Sequence, residues 1–196
     1  MMNLPSFFFK YRSYTPIPLI LILLYQADPV VPWLLIGLGL VLLGEGIRFW
    51  AILYAGGATR TRNVGAESLV TAGPYGYMRN PLYLGNILIY AGVVFIAGGP
   101  WMWQMLVITI GFFTWQYSQI ITLEEDTLSG IFGAAYAEYR ANVPRIIPRF
   151  RPWRKPDHAE VERRSVRQAL KPEKSTLINI GIILVLITAK WFYLQM

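Results

Sequence analysis

The sequence contains no cysteine among its 196 residues and only one histidine, His158. Without cysteine there is no disulfide, no thiol nucleophile and no zinc site built on thiolates. A single imidazole does not suffice for a multi-histidine centre, so we expect no metal cofactor. These absences exclude several enzyme classes before any motif is considered.

Charged residues are also scarce, at 15% of the chain against 55% hydrophobic residues, and the mean hydropathy is +0.40. These values are typical of a small polytopic membrane protein. Basic residues beside an anionic leaflet each contribute about 1 kcal/mol of attraction, so the net charge of +7 requires no nucleic acid partner. No small-residue cleavage site follows the aromatic run at Phe7, so we expect no cleaved signal peptide.

Five apolar stretches approach the roughly 20 residues that a helix needs to cross a bilayer. The first is short, and it spans only if its helix extends back toward Phe7. The sequence therefore predicts an all-α integral membrane protein with about five transmembrane helices. The stretches are Pro16–Tyr25, Val30–Tyr54, Pro81–Ala97, Trp101–Thr122 and Ser175–Leu194.

Lysine and arginine cluster at the N-terminus, in the loop after the second stretch and between Arg140 and Lys174. The turns near Asp28 and Gly99 contain neither. The positive-inside rule then places the N-terminus and the basic loops in the cytoplasm, at a bacterial inner membrane or the endoplasmic reticulum.

We interpret the chain as one domain with four parts. Residues 1–56 form a helical hairpin, residues 57–150 the catalytic core, residues 151–174 a basic connector with a short helix near 160–170, and residues 175–196 the last span. Apolar residues recur at three- and four-residue spacing from Glu124 to Asn142, which predicts an amphipathic helix on the membrane face.

Two polar motifs lie in the predicted core. The first runs from Gly73 to Gly85, where Asn80 precedes Pro81 in a pattern typical of a helix start. A helix N-terminus carries partial positive charge and suits a carboxylate. The second motif, Leu123-Glu-Glu-Asp126, follows the next apolar hairpin, so we expect the two motifs to face each other.

The chain contains three motifs in this order: Gly73-Pro-Tyr-x-Tyr-x-Arg-Asn-Pro-x-Tyr-x-Gly85, Glu124-Glu-x-x-Leu128 and Val143-Pro-Arg145-x-x-Pro148. Together they resemble the isoprenylcysteine carboxyl methyltransferase superfamily, which includes phospholipid N-methyltransferases. The resemblance covers roughly residues 65 to 150. It implies methyl transfer from S-adenosylmethionine, in a cytoplasm-facing pocket, to an acceptor that enters from the bilayer. The family usually has histidine where this chain has Asn80, and asparagine can hydrogen-bond but cannot titrate.

The polar residues match groups that S-adenosylmethionine presents. Glu124 and Glu125 can accept from its ribose hydroxyls or ammonium, while Arg79 and the helix start at Asn80-Pro81 can take its carboxylate.

Aromatic residues complete this cofactor site. Tyr75, Tyr77 and Tyr83 offer faces for adenine or the sulfonium, since cations are attracted to aromatic rings. Asn86 lies one turn further along the helix. Arg145 is predicted to hold an acidic acceptor in line with the methyl group, and Glu125 is the second catalytic candidate. The acceptor is expected to be lipid-like or a small apolar molecule.

Two other functions fit the sequence. A membrane reductase of the sterol-reductase type shares the Asn/His-Pro-x-Tyr-x-Gly pattern, but NADPH requires a basic pocket, and paired glutamates argue against it. A non-catalytic membrane scaffold would be favoured if the two motifs lay more than ~15 Å apart, beyond the reach of one cofactor.

Each candidate residue also has a structural interpretation. The tyrosines can form an interfacial belt, and the glutamates a solvated surface. Glu45 and Arg48, three residues apart within a span, are most simply a local ion pair, with a supporting role near the site left open.

Overall fold

The computed structural model describes residues 3–55, 68–154 and 165–195, and these residues form helices joined by turns and irregular segments. A 3₁₀ turn at Gly73–Gly76 precedes the fourth helix. The helices are α1 (Leu4–Tyr11), α2 (Ile17–Gln26), α3 (Val31–Ala55), α4 (Pro81–Ala97), α5 (Met102–Asn142) and α6 (Val166–Gln195).

Three of these helices are long and apolar enough to cross a membrane, namely α3, α5 and α6 as far as Tyr193. The shorter apolar helices α2 and α4 meet the composition but not the length. Large apolar side chains such as Leu42 and Val185 are 72% and 65% exposed, which is typical of a surface that faces lipid. The expected all-α membrane architecture is confirmed in this coarser form, with three candidate spans.

The first predicted span does not form one helix. Residues 12–16 form turns that separate α1 from α2. Pro16 and Pro18 explain the break, because proline lacks a backbone N–H and clashes with the preceding turn of a continuous helix. The condition for this stretch to span, a single helix that extends back toward Phe7, is therefore not met.

Helices α3 and α4 pack at backbone distance along a row of glycines. A Cβ on Gly37 would lie 2.5 Å from the Gly92 carbonyl oxygen, and a Cβ on Gly44 would lie 2.6 Å from that of Gly85. Small residues at membrane helix interfaces permit this close approach. The packing brings Arg48 of α3 against α4.

We expect Gly44→Ala to lower the free energy of unfolding by about 1–3 kcal/mol, because the new methyl group meets backbone that cannot move aside. Gly46 is the matched control, since nothing lies within 4 Å of a Cβ built there. Gly46→Ala should be neutral or slightly stabilising through helix propensity. Denaturant unfolding of the purified protein in detergent measures both, and equal stability of the two variants would contradict the packing argument.

The two turns without lysine or arginine meet at one end of the bundle. The backbone of Asp28 pairs with Gly98 and donates to the Ala97 carbonyl oxygen at 2.9 Å. At the same end, Lys190 of α6 donates to the Leu24 carbonyl oxygen at 3.0 Å and so satisfies the end of α2. The two polar motifs lie at the other end of α4 and of the membrane part of α5.

Residues Glu124–Asn142 are helical, but no separate helix begins at Glu124, because α5 runs from Met102 through to Asn142. The break lies at Gly133, which has φ 50° and ψ −121°. Only glycine adopts such a conformation without strain. The bend turns the last part of α5 back toward the 3₁₀ turn at Gly73–Gly76.

The final helix begins before the predicted start of the last span at Ser175. Helix α6 begins at Val166 and includes Pro172, so residues 166–174 belong to the final helix. Residues 155–164, with His158 and the first part of the helix predicted near 160–170, lie outside the described residues.

Candidate functional site

The first motif begins in a tight turn that only glycine allows. Gly73 has φ 61°, and a Cβ there would lie 2.4 Å from the ring of Tyr54 at the end of α3. Helix α4 starts at Pro81, as predicted. Asn80 does not cap it with its side chain: the amide nitrogen Nδ2 instead donates to the carbonyl oxygen of Arg145 at 3.0 Å.

Arg79, Glu125 and Arg145 form a cluster that we call the clasp. The Nε and Nη2 atoms of Arg79 lie 3.0 and 2.9 Å from Oε1 of Glu125. The other oxygen of Glu125 lies 3.2 Å from Nη2 of Arg145. The side chains of Arg79 and Glu125 are 9% and 5% exposed, whereas that of Arg145 is 38% exposed. Burial and two-point contact make the Arg79–Glu125 pair the rigid part of the clasp.

The clasp also fixes the segment that follows α5. Arg79 Nη1 donates to the carbonyl oxygens of Arg140 and Val143, and its backbone N–H donates to that of Pro144 at 2.9 Å. Further along, the N–H of Arg149 donates to the Tyr77 carbonyl oxygen at 3.1 Å. Residues 143–149 thus fold back onto the first motif.

Glu124 is oriented differently from Glu125. Its Oε1 accepts from the Tyr83 hydroxyl at 2.8 Å, and Tyr83 packs on Tyr117 of α5 with ring centroids 4.7 Å apart. Arg12, between α1 and α2, is close enough to Glu124 for a favourable charge interaction. Glu124 therefore lies among aromatic rings, outside the clasp.

The Tyr75 hydroxyl lies within electrostatic range of both Glu124 and Arg48. Burial raises the pKa of its hydroxyl, and the Glu124 carboxylate raises this pKa further, while Arg48 lowers it. The hydroxyl is consequently protonated at neutral pH and available as a donor. Its backbone oxygen accepts from the Tyr139 hydroxyl at 2.8 Å, a contact that sequence reasoning missed.

Tyr77 is directed elsewhere. Its ring contacts that of Trp50 in α3 at a centroid distance of 5.8 Å, and its backbone pairs with Arg149. These contacts describe a packing residue, and a cofactor role for Tyr77 stays a prediction.

The predicted local ion pair of Arg48 with Glu45 is a weak contact at 3.9 Å. The close partner of Arg48 is Glu173 of α6, whose Oε1 lies 2.6 Å from Nη2 of Arg48. Arg48 Nη1 also donates to Oδ1 of Asn86. Sequence reasoning missed Glu173, although a lone acidic residue at the start of an apolar helix was a signal for it.

The structure thus brings the two predicted motifs into direct contact, through Arg79 with Glu125 and Tyr83 with Glu124. This contact excludes the wide separation on which the scaffold interpretation depended. Arg79 is committed to protein partners, so a further contact with a cofactor carboxylate remains a prediction. Within the described ranges, no group of three or more acidic or histidine side chains is placed to hold a metal ion.

Comparisons with known proteins match a part of the chain that includes both motifs. The family model described as phospholipid methyltransferase matches residues 33–135. A protein-S-isoprenylcysteine O-methyltransferase of Xenopus laevis is 32% identical over 124 residues, which are 60% of this chain and 42% of that protein. Its counterpart B from Arabidopsis thaliana is 32% identical over 117 residues, 57% of each chain.

A further relative, the cobalt-zinc-cadmium resistance protein CzcN of Cupriavidus metallidurans, is 31% identical over 115 residues, 59% of this chain and 47% of that protein. The chain spans about half the length of these relatives. No solved structure matches the chain.

Proposed function

Because the chain belongs to the phospholipid methyltransferase family, we propose that it transfers a methyl group from S-adenosylmethionine to a lipid-like acceptor. The observation that carries the proposal is the contact between the two motifs, which places a carboxylate, several aromatic rings and the start of α4 together at one end of the bundle. The names of the relatives support the reaction class, and some of them support an isoprenylated acceptor.

In this proposal Glu124 is the glutamate that binds the cofactor. Its carboxylate stands outside the clasp, beside Tyr83 and near Tyr75. A carboxylate in this setting can accept hydrogen bonds from the ribose hydroxyls or attract the ammonium group. The rings of Tyr75 and Tyr83 can face adenine or the sulfonium.

The start of α4 suits the carboxylate of the cofactor. Pro81 opens the helix, and the N–H groups of its first turn form the positive end of the helix dipole. Asn80 and Arg79 then act by fixing residues 143–145 beside this helix start. Bound S-adenosylmethionine supplies an electrophilic methyl group, and the protein's task is to align it with the acceptor and exclude water.

We propose further that the motif end of the bundle faces the cytoplasm. The basic N-terminal segment and the loop after α3 support this orientation through the positive-inside rule. The turns without lysine or arginine, which meet at the opposite end, support it as well.

Calorimetric titration of the detergent-purified protein with S-adenosylhomocysteine and, separately, NADPH tests the proposed function. We expect binding of the first and none of the second, because a carboxylate at the site repels the phosphates of NADPH. Glu124→Gln should weaken S-adenosylhomocysteine binding by about 1–3 kcal/mol, the range for a hydrogen bond to a charged group.

Asp126→Asn is the matched control, because Asp126 is the exposed acidic residue two positions further along α5. Its affinity should equal that of the wild type. Binding of NADPH but not of S-adenosylhomocysteine would favour the reductase over the methyltransferase. Equal effects of the two substitutions would show that Glu124 does not bind the cofactor.

A further inference from the structure

Helix α6 lies outside the region matched by the family model, yet it supplies a fully buried carboxylate to α3. Glu173 is 1% exposed, and its Oε1 and Oε2 accept from Nε and Nη2 of Arg48 at 2.7 and 2.9 Å. Thr176, one turn further along α6, accepts from Nη2 at 3.3 Å. A two-point contact of this kind fixes the plane of the guanidinium as well as its position.

The remaining terminal nitrogen of Arg48 reaches the proposed cofactor site. Nη1 donates to Oδ1 of Asn86 in α4, one turn after Tyr83. Asn86 lies near Tyr117 of α5, the residue on which Tyr83 packs. An asparagine amide has an acceptor end and a donor end, so fixing Oδ1 against Arg48 determines where Nδ2 points.

Helix α6 has contacts with the bundle besides this ion pair. Ala169, Ile180 and Ile187 of α6 are buried along one side of the helix, and Lys190 binds the end of α2. Replacing a buried ion pair by apolar residues of similar volume is often neutral or stabilising. What apolar residues cannot do at this place is orient the amide of Asn86.

We propose that Glu173 is a positioning residue for the cofactor site. It holds Arg48, and Arg48 holds the Asn86 amide in the orientation that S-adenosylmethionine requires. Helix α6 thereby contributes to cofactor binding through Glu173. This inference rests on the proposed function.

The test replaces both charges at once, in Arg48→Met/Glu173→Leu. The melting temperature should be unchanged or higher, while S-adenosylhomocysteine affinity falls roughly five- to hundred-fold, as expected for losing one hydrogen-bonding partner of the ligand. Asn86→Ala should cause a similar loss in the wild type and no further loss in the double variant, because both changes act through one group. Unchanged affinity in the double variant overturns the proposal.

Lys190→Met is the matched control, because it removes a polar attachment of α6 at the opposite end of the helix without touching Arg48. Its affinity should equal that of the wild type. An equal loss of affinity in this variant would show that α6 affects the site only through its general packing, and that result also overturns the proposal. If the double variant does not fold, Glu173→Gln replaces it, with the same direction of effect on affinity.

A readout without ligand separates this inference from the proposed function. In protein labelled with ¹⁵N-asparagine, the side-chain amide resonance of Asn86 is assigned by its loss in Asn86→Ala. The resonance should shift in the double variant and stay in place in Lys190→Met. An unmoved resonance overturns the proposal even where S-adenosylhomocysteine binds. A wild type that binds no S-adenosylhomocysteine refutes the proposed function, and with it the cofactor role of Glu173, whether or not the resonance shifts.

Discussion

Arg79→Ala is expected to lower the free energy of unfolding by about 3–5 kcal/mol, the cost of removing one partner of a buried ion pair. The Glu125 carboxylate is 5% exposed, and among the described residues it would keep Arg145, a partner that is itself 38% exposed. The substitution also leaves the carbonyl oxygens of Arg140 and Val143 without their donor. Thermal and denaturant unfolding in detergent measure the loss.

Arg140→Ala provides a matched control at the same place. Arg140 is exposed, and its contact with Arg79 uses the backbone carbonyl oxygen, which alanine retains. Its unfolding should differ from that of the wild type by less than about 0.5 kcal/mol, as is usual for surface substitutions. Equal stabilities of the two alanine variants would show that the clasp contributes nothing to the fold.

Cofactor affinity should respond to the same cluster. Arg79→Ala and Glu125→Gln are each expected to weaken S-adenosylhomocysteine binding by ~1–3 kcal/mol. The structure supplies the reason, since the clasp holds residues 143–145 against the start of α4. If both variants fold and keep wild-type affinity, the Arg79–Glu125 pair has no role in cofactor binding.

The largest effect on kcat/KM is expected from the length of the apolar tail of the acceptor. If the acceptor enters laterally from the bilayer and its tail is buried beside the bundle, each added methylene contributes about 0.8 kcal/mol. The ratio kcat/KM should then rise about fourfold per methylene. The acceptors are measured below their critical micelle concentration, so that the unbound acceptor is a monomer in water. A preference for fully water-soluble acceptors, with no gain along the series, would rule out the lateral route.

Arg145 is the residue predicted to orient that acceptor. It lies at the outer side of the clasp, with Nη2 at 2.8 Å from the Thr122 hydroxyl and 3.2 Å from Glu125. Arg145→Ala should lower kcat and leave S-adenosylhomocysteine affinity unchanged. Arg149→Ala is the control, since Arg149 donates to the Asn142 carbonyl oxygen within the same fold-back. Equal kcat values in the two variants would remove Arg145 from acceptor positioning.

The sequence by itself determined the membrane class, the start of α4 and the pairing of the two motifs. These features depend on local chemistry. Apolar length identifies a span, proline opens a helix, and a short apolar hairpin returns the chain to the same side of a membrane. The pattern at Gly73–Gly85 was informative for the same reason, because Gly73 allows a turn that another residue would strain.

Only the tertiary structure decided which partner each charged or polar side chain takes. Arg48 has Glu45 three residues away, yet it binds Glu173 from the other end of the chain. Asn80, at a helix start, bonds to the Arg145 backbone instead of capping. In each case the partner is a group that the packing of distant segments brings beside the side chain. Which groups are buried together depends on how distant helices pack, and residue spacing along the sequence carries no record of that packing.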